Sequence, residues 1–190
     1  MIQEQDRSGW FGASDVGVIM GSWTTPTFRK WWMTKLGFGD RGFVSREMNA
    51  GTYYEHAVLD FLNIPRRDHQ IVIPDILLRV NLDGDGAGRI CEVKTHKAEK
   101  AYKPTAAHRR QVCVQMYAKR EEEKIMPDAV IASYGLLKPD YDNFFNDIDP
   151  DRLHLHRIEY DSAFIDAFLK RVSYLAECLR KGVFPDADAG

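Results

Sequence analysis

Two carboxylates and an amine lie close together in the stretch 83–94, DGDGAGRICEVK. Alternation along an extended chain puts Ile90, Glu92 and Lys94 on one face of a strand and Cys91 and Val93 on the other. Gly84, Gly86 and Gly88 permit a tight reversal with positive φ, which brings Asp83, at the end of the preceding strand, beside Glu92. Two carboxylates in one small volume repel each other unless a cation sits between them. Hard oxygen ligands with room for water select Mg²⁺ or Mn²⁺. A neighbouring lysine can then orient, or help to deprotonate, a water for attack on a phosphodiester. Each piece has a plainer reading by itself, a solvated E-X-K face and a D-G hairpin, and it is their adjacency that favours chemistry.

The elements around this stretch follow from pattern. Strands are expected over 70–73 and 76–82, joined across Pro74 and Asp75, and the second delivers Asp83. A strand over 89–95 carries Glu92 and Lys94, and Pro104 opens a helix to about 120 on which Gln111 and Gln115 lie one turn apart. A glutamine on a helix packed over a sheet either joins a buried network or reaches into a site, and both readings stay open. Further upstream, Ser14 is placed to cap a short helix over 15–20, whose N-terminus suits a phosphate, with Arg7 as a bidentate partner. Pro26 starts a helix over 27–36 with Phe28, Trp31, Trp32 and Leu36; Trp23 and Trp32 read as core, with base stacking as the alternative.

A longer helix over 45–63 turns Met48, Ala57, Val58, Phe61 and Leu62 inward and holds Glu55 beside that stripe, either as a solvated charge or as a third carboxylate for a second cation. Residues 128–137 and 153–160 read as strands, with His154 and His156 on one exposed face. An amphipathic helix over 162–181, with Phe164, Phe168, Val172, Leu175 and Leu179 inward, closes the chain.

At 190 residues the chain is expected to form a single domain, 1–190, with an N-terminal helical part (1–63), a catalytic core (70–137) and a C-terminal strand and helix (153–181). The formal net charge of −2 excludes a protein that is basic all over but not a basic groove. Between Lys94 and Arg120 the cations Lys94, Lys97, Lys100, Lys103, Arg109, Arg110, Lys119 and Arg120 face Glu99 as the sole acid, a local surface for a nucleic-acid backbone. Cys91, Cys113 and Cys178 lack metal-type spacing and read as reduced core thiols of a cytoplasmic protein, which also argues against an iron–sulfur cluster. No signal peptide or membrane span is visible.

The order of these pieces resembles the lambda exonuclease and YqaJ branch of the PD-(D/E)XK superfamily, phage-type recombination nucleases, over residues 7–116. The carriers are RSGWFGASDV with Arg7 and Ser14, AGTYYEHAVLDF with Glu55, the Asp83, Glu92 and Lys94 set, and RQVCVQMY with Gln111. The resemblance implies an α/β (α+β) restriction-endonuclease-like core, a central mixed β-sheet flanked by helices. It implies that Asp83, Glu92 and the Cys91 backbone carbonyl hold one Mg²⁺, with Mn²⁺ as substitute, and that Glu55 helps with a second. Lys94 and Gln111 would position the attacking water, and Arg7 and Ser14 would line a pocket for a terminal 5′-phosphate. Where the family often has Ser-Pro-Asp-Gly, this chain has Asn81, Leu82, Asp83 and Gly84; Asn81 can still donate a hydrogen bond at the phosphate, and Asp85 is a second candidate for the aspartate. Lys97, Arg109 and Arg110 are expected to contact DNA.

The implied activity is 5′–3′ digestion of linear double-stranded DNA in a bacterial, phage-type setting, leaving a 3′ strand for annealing. A homotrimer ring and a single-strand annealing partner are implied with it. Alternatives are a structure- or site-specific endonuclease on the same fold, or a DNA-binding or assembly module without catalysis.

Overall fold

Strand β3 (Arg89–Lys97) is the centre of the structure, a computed structural model that describes residues 8–39, 45–86, 88–144 and 146–187. On one side β3 runs parallel to β4 (Asp128–Leu136), in register from Arg89↔Asp128 through Lys97↔Leu136. Parallel neighbours need a long crossover, which α4 (Ala106–Glu123) supplies. On the other side β3 meets β2 (Leu78–Gly86) antiparallel, through Gly84↔Cys91, Asp85↔Ile90 and Gly86↔Arg89. Beyond Gly84 β2 stays paired with β1 (Arg66–Ile73), from Gly84↔Arg67 through Leu78↔Ile73. The ladder between β2 and β3 thus opens into a fork. An open ladder would leave a buried N–H unpaired; here Val93 N–H donates instead to Asp83 Oδ2 at 2.8 Å. With β5 (Leu153–Ile158) antiparallel to β4, the sheet order is β1-β2-β3-β4-β5, mixed and covered by helices as expected.

The two sheet faces carry separate cores. Ile90, Val80 and Leu82 pack with α4, with α1 (Val16–Ile19), with α2 (Pro26–Lys35) and with α5 (Ser162–Lys181). Cys91, Val93, Ala132 and Tyr134 pack under α3 (Arg46–Phe61). The three thiols are free and buried. Asp161 caps α5 by accepting Phe164 N–H at 2.9 Å, and Ile165, Phe168, Val172, Leu175 and Cys178 are buried along it, with Phe164 and Leu179 half-buried at the edges. Trp23 and Trp32 are core: their rings pack on Phe28, and Trp32 Nε1–H donates to Val183 O, which removes the stacking alternative.

Several local expectations are corrected. On α3, Met48 and Phe61 are 55% and 47% exposed, and the buried stripe is Ala50, Tyr54, Val58 and Leu59. Tyr54 can be inside because its hydroxyl donates to Asp140 Oδ1 (3.2 Å) and Asn143 O (3.1 Å). Only Gly88 of the glycine series has positive φ, at 72°. Gly84 and Gly86 lie within β2 and are needed for close approach: a Cβ on Gly84 would stand 2.5 Å from Leu59 Cδ2, and one on Gly86 2.8 Å from the Pro65 ring. Ile76 belongs to a 3₁₀ turn, Pro74–Ile76, closed by Leu77 in the left-handed region. Ser14 is no helix cap. It sits exposed within a 3₁₀ turn, Ala13–Asp15, where Gly12 N–H donates to Asp15 Oδ2 at 2.8 Å. The cationic surface loses two members. Lys119 is buried on Asp85, and Arg120 lies over the Tyr117 and Tyr160 rings.

Candidate active site

Glu92 is the hub. It is 2% exposed, and three side chains converge on its carboxylate. Lys94 Nζ donates to Oε1 at 2.5 Å, Gln111 Nε2 to Oε1 at 2.6 Å and Gln115 Nε2 to Oε2 at 2.5 Å. The strand's period of two brings Lys94 to Glu92; the helical repeat brings Gln111 and Gln115, one turn apart on α4, down onto the same group. Gln115, 1% exposed, also approaches Asn81 O at 3.4 Å, and Gln111 Oε1 stands 3.5 Å from Lys94 Nζ. The glutamines thus join a buried network, and Gln111 also lines a cavity beside Asp83.

Asp83 enters from the fork. Burial, then the charges of Glu92 and Glu55, hold its carboxyl well above the usual carboxylate range. Glu55, on α3, is pushed up to about 7 by burial, followed by Glu92 and Asp68. At Lys94 burial works against the charge, but Glu92 and Asp83 outweigh it and hold the ammonium above its ordinary value. The site is a desolvated group of acids around one amine. Such a donor set suits a hard divalent cation, because oxygen donors with excess negative charge have the affinity such ions need. Among the described residues, no three His, Cys, Asp or Glu side chains converge as a ready-made metal cage. Glu92 in particular is turned toward Lys94 and the glutamines.

Ser14 and Asn81 reach the same place from another direction. Together with Asp83 and Gln111 they line a cavity of about 220 Å³, closed by the chain at Phe11–Gly12 and by Lys35 and Arg79. Arg7 lies outside the described residues. Lys35 and Arg79 were missed by pattern reading. Arg79 carries a signal, since it stands two and four residues before Asn81 and Asp83 on one strand face. Lys35 carries almost none: it is a last-turn helix lysine, yet it is buried against Asp15 at 2.7 Å and lies 5.5 Å from the Trp31 ring.

Asp85, the second candidate aspartate, is elsewhere engaged. It is fully buried, with Lys119 Nζ 2.6 Å and Arg66 2.8 Å from Oδ2. Lys97, Arg109 and Arg110 are exposed; the two arginines wall a second cavity, of about 430 Å³, on another face of α4. His156 is tied to Ser133 Oγ at 3.0 Å and packs on Tyr102, while His154 is exposed.

A mixed five-stranded sheet whose central strands fork around Asp83 and the Glu92-Val93-Lys94 triplet is a fold shared with solved exonuclease structures. The sequence matches no family model and no curated protein. Solved structures do match. An alkaline exonuclease from Laribacter hongkongensis superposes with a TM-score of 0.69 at 21% identity, over 93% of this chain and 90% of that one, and it has also been solved in complex with dAMP. A phage-related exonuclease from Haemophilus somnus 129PT superposes with a TM-score of 0.66 at 16% identity, over 90% of this chain and 94% of that one.

Proposed function

We propose that this chain is a metal-dependent deoxyribonuclease that digests linear duplex DNA 5′ to 3′ from phosphorylated ends. The observation that carries the reading is the joining of two features at one place. Asp83, Glu92, Lys94 and Gln111 meet at the strand fork, and the Ser14–Asn81 cavity opens on Asp83 and Gln111. A cleavable phosphodiester and a terminal phosphate one nucleotide away would occupy these two volumes. The exonuclease fold supports the class of reaction.

Asp83, Glu92 and the Cys91 carbonyl would hold one Mg²⁺, or Mn²⁺ in its place, with Glu55 assisting a second. These ions supply Lewis-acid charge neutralisation and a more acidic water. Lys94 and Gln111 orient that water through their polar atoms and hold Glu92 in one rotamer. Ser14 and Asn81, with Arg79 and the Asp15-paired Lys35 in the cavity wall and Arg7 as a further donor, receive the terminal phosphate. Lys97, Arg109 and Arg110 contact the DNA backbone. Duplex ends are the substrate, a homotrimer ring and a single-strand annealing protein the assembly partners, and a bacterial cytoplasm in a phage-type setting the location. Among the described residues no helix is long and apolar enough to cross a membrane.

The test is a digestion time course with Mg²⁺ on 5′-phosphorylated linear duplex, the 5′-hydroxyl duplex and closed circular duplex, with Lys94→Ala beside the wild type. Loss of the phosphorylated linear DNA alone, abolished by the substitution, is the expected result. Nicking of the circle would move the assignment to an endonuclease. Binding without cleavage of any substrate would leave a DNA-binding module.

A further inference from the structure

The larger cavity lies apart from the carboxylates at the fork, and two of the arginines assigned above to the DNA backbone help to wall it. Arg109 and Arg110 on α4, Arg157 on β5 and Phe164 on α5 wall a space of about 430 Å³, and Glu159 and Asp161 line it with them. A volume of this size falls in the range of small-ligand pockets, roughly 300–1,000 Å³. Helix α4 separates it from the fork: Gln111 faces Glu92, while Arg109, Arg110 and Cys113 face the cavity, so about one helix diameter, ~10 Å, lies between.

The arginines are poised rather than neutralised. Arg109 has no ion-pair partner among the described residues. Arg110 lies with its guanidinium 5.4 Å over the Phe164 ring, which fixes its plane and leaves its N–H edge available. Among the described residues Arg157 has only an exposed pair with Asp128 at 3.3 Å. Of the two acids, Asp161 is occupied by the Phe164 N–H it caps, and Glu159 stands exposed. Tyr102 stacks between His96 and His108, and His156 is tilted against it. Burial, then the charges of His154 and Arg109, hold His156 below its ordinary value.

We propose that this arginine cavity is a second nucleic-acid site, which holds a short run of single-stranded DNA, a base in the cavity and successive phosphates on the arginines, apart from the catalytic fork. The inference rests on the nuclease reading for its choice of DNA. Phosphates lie against Arg109, Arg110 and Arg157, and the exposed Glu159 carboxylate accepts from a base amino group, as carboxylates do from cytosine N4. A duplex is too wide for such a pocket; a single strand, with its bases free to turn, is not.

The test is fluorescence anisotropy of labelled (dC)₁₂ in EDTA over a salt series, so that hydrolysis plays no part. Each phosphate contact on a single strand contributes about 0.7 to the slope of log K against log salt. Arg109→Ala/Arg110→Ala/Arg157→Ala should lower that slope by about 2 and weaken binding at low salt at least tenfold. Arg109→Ala/Arg157→Ala leaves the Arg110–Phe164 contact in place and should lower it by about 1.4. Arg29→Ala/Lys30→Ala/Lys170→Ala removes the same charge from exposed positions elsewhere and should leave the slope nearly unchanged. An unchanged slope in both arginine variants, or an equal fall in the control, overturns the site. Hydrolysis of duplex DNA by the wild type is scored separately, so loss of the nuclease reading and loss of this site are distinct results.

Discussion

Removing Lys119 should destabilise the protein far more than its place in a run of cationic residues suggests. Lys119 and Asp85 are both fully buried, 2.6 Å apart, and the other carboxylate oxygen, Asp85 Oδ1, has no hydrogen-bond partner among the described residues. Lys119→Met fills much the same volume but leaves Asp85 charged in the interior. Breaking a buried pair from one side costs about 3–5 kcal/mol. Arg66 at 2.8 Å and His69 at 3.2 Å stay on Oδ2, which places the cost near the lower end, about 3 kcal/mol. For a domain of this size each kcal/mol moves Tm by about 2–4 °C, so the expected fall is about 6–12 °C. Asp85→Leu in the same chain removes the stranded charge and should recover most of the loss, because an apolar pair of similar volume often replaces a buried ion pair without penalty. The assay is thermal unfolding by circular dichroism at pH 7. A fall under about 2 °C in the single variant, or a double variant less stable than the single one, would refute the argument.

Two further outcomes follow from the site. Glu55 is held near 7, above its ordinary 4.5, so the folded state binds its proton more tightly than the unfolded chain does. Its contribution is therefore present below about pH 4.5 and is lost as pH rises to about 7. In EDTA, Glu55→Gln should be more thermostable than wild type at pH 8 and no more stable at pH 4.5; equal differences at both pH values would contradict the environment assigned to Glu55. Gly84→Ala places a methyl 2.5 Å from Leu59 Cδ2 and 2.8 Å from Ile64 Cγ2. Overpacking of this kind costs about 1–3 kcal/mol, and Leu59→Ala in the same chain should be less damaging than Leu59→Ala alone, measured by denaturant midpoints.

The periodic parts of this chain were legible in sequence and the irregular parts were not. Residues 162–181 form α5 as read, because an acidic cap, an apolar stripe and a terminal glycine agree there. Strand β1 was read too short because Arg66, Arg67, Asp68 and His69 look like loop; on an edge strand their side chains reach solvent or acids, and the backbone pairs with β2 regardless. The stripe on α3 was misassigned because Tyr54 looks amphipathic until the Asp140 and Asn143 acceptors are known. At the candidate site, the proximity of Glu92 and Lys94 follows from strand alternation. The position of Asp83 depends on a fork in the β2–β3 ladder, and no local pattern encodes a fork.

Alternation alone cannot choose between Asp83 and Asp85, since both fall on one face of β2. The choice is written on α4. Gln111, Gln115 and Lys119 recur every fourth residue down one side of that helix, among Val112, Cys113, Val114, Met116 and Ala118. A polar stripe on the buried side of a helix needs polar partners in the layer beneath it, and the type of each side chain restricts its partner. The two amides, neutral donors, can share one carboxylate with Lys94, and both do so at Glu92. The ammonium at the far end of the stripe needs acids of its own, and it finds Asp85 on the sheet at 2.6 Å and Glu123 one turn on along α4 at 2.7 Å. Asp85 is thereby committed to pinning α4 onto β2. Asp83, beside the fork and with one oxygen on Val93 N–H, is the aspartate that shares the cavity with Gln111, and the proposed reaction assigns it the role beside Glu92.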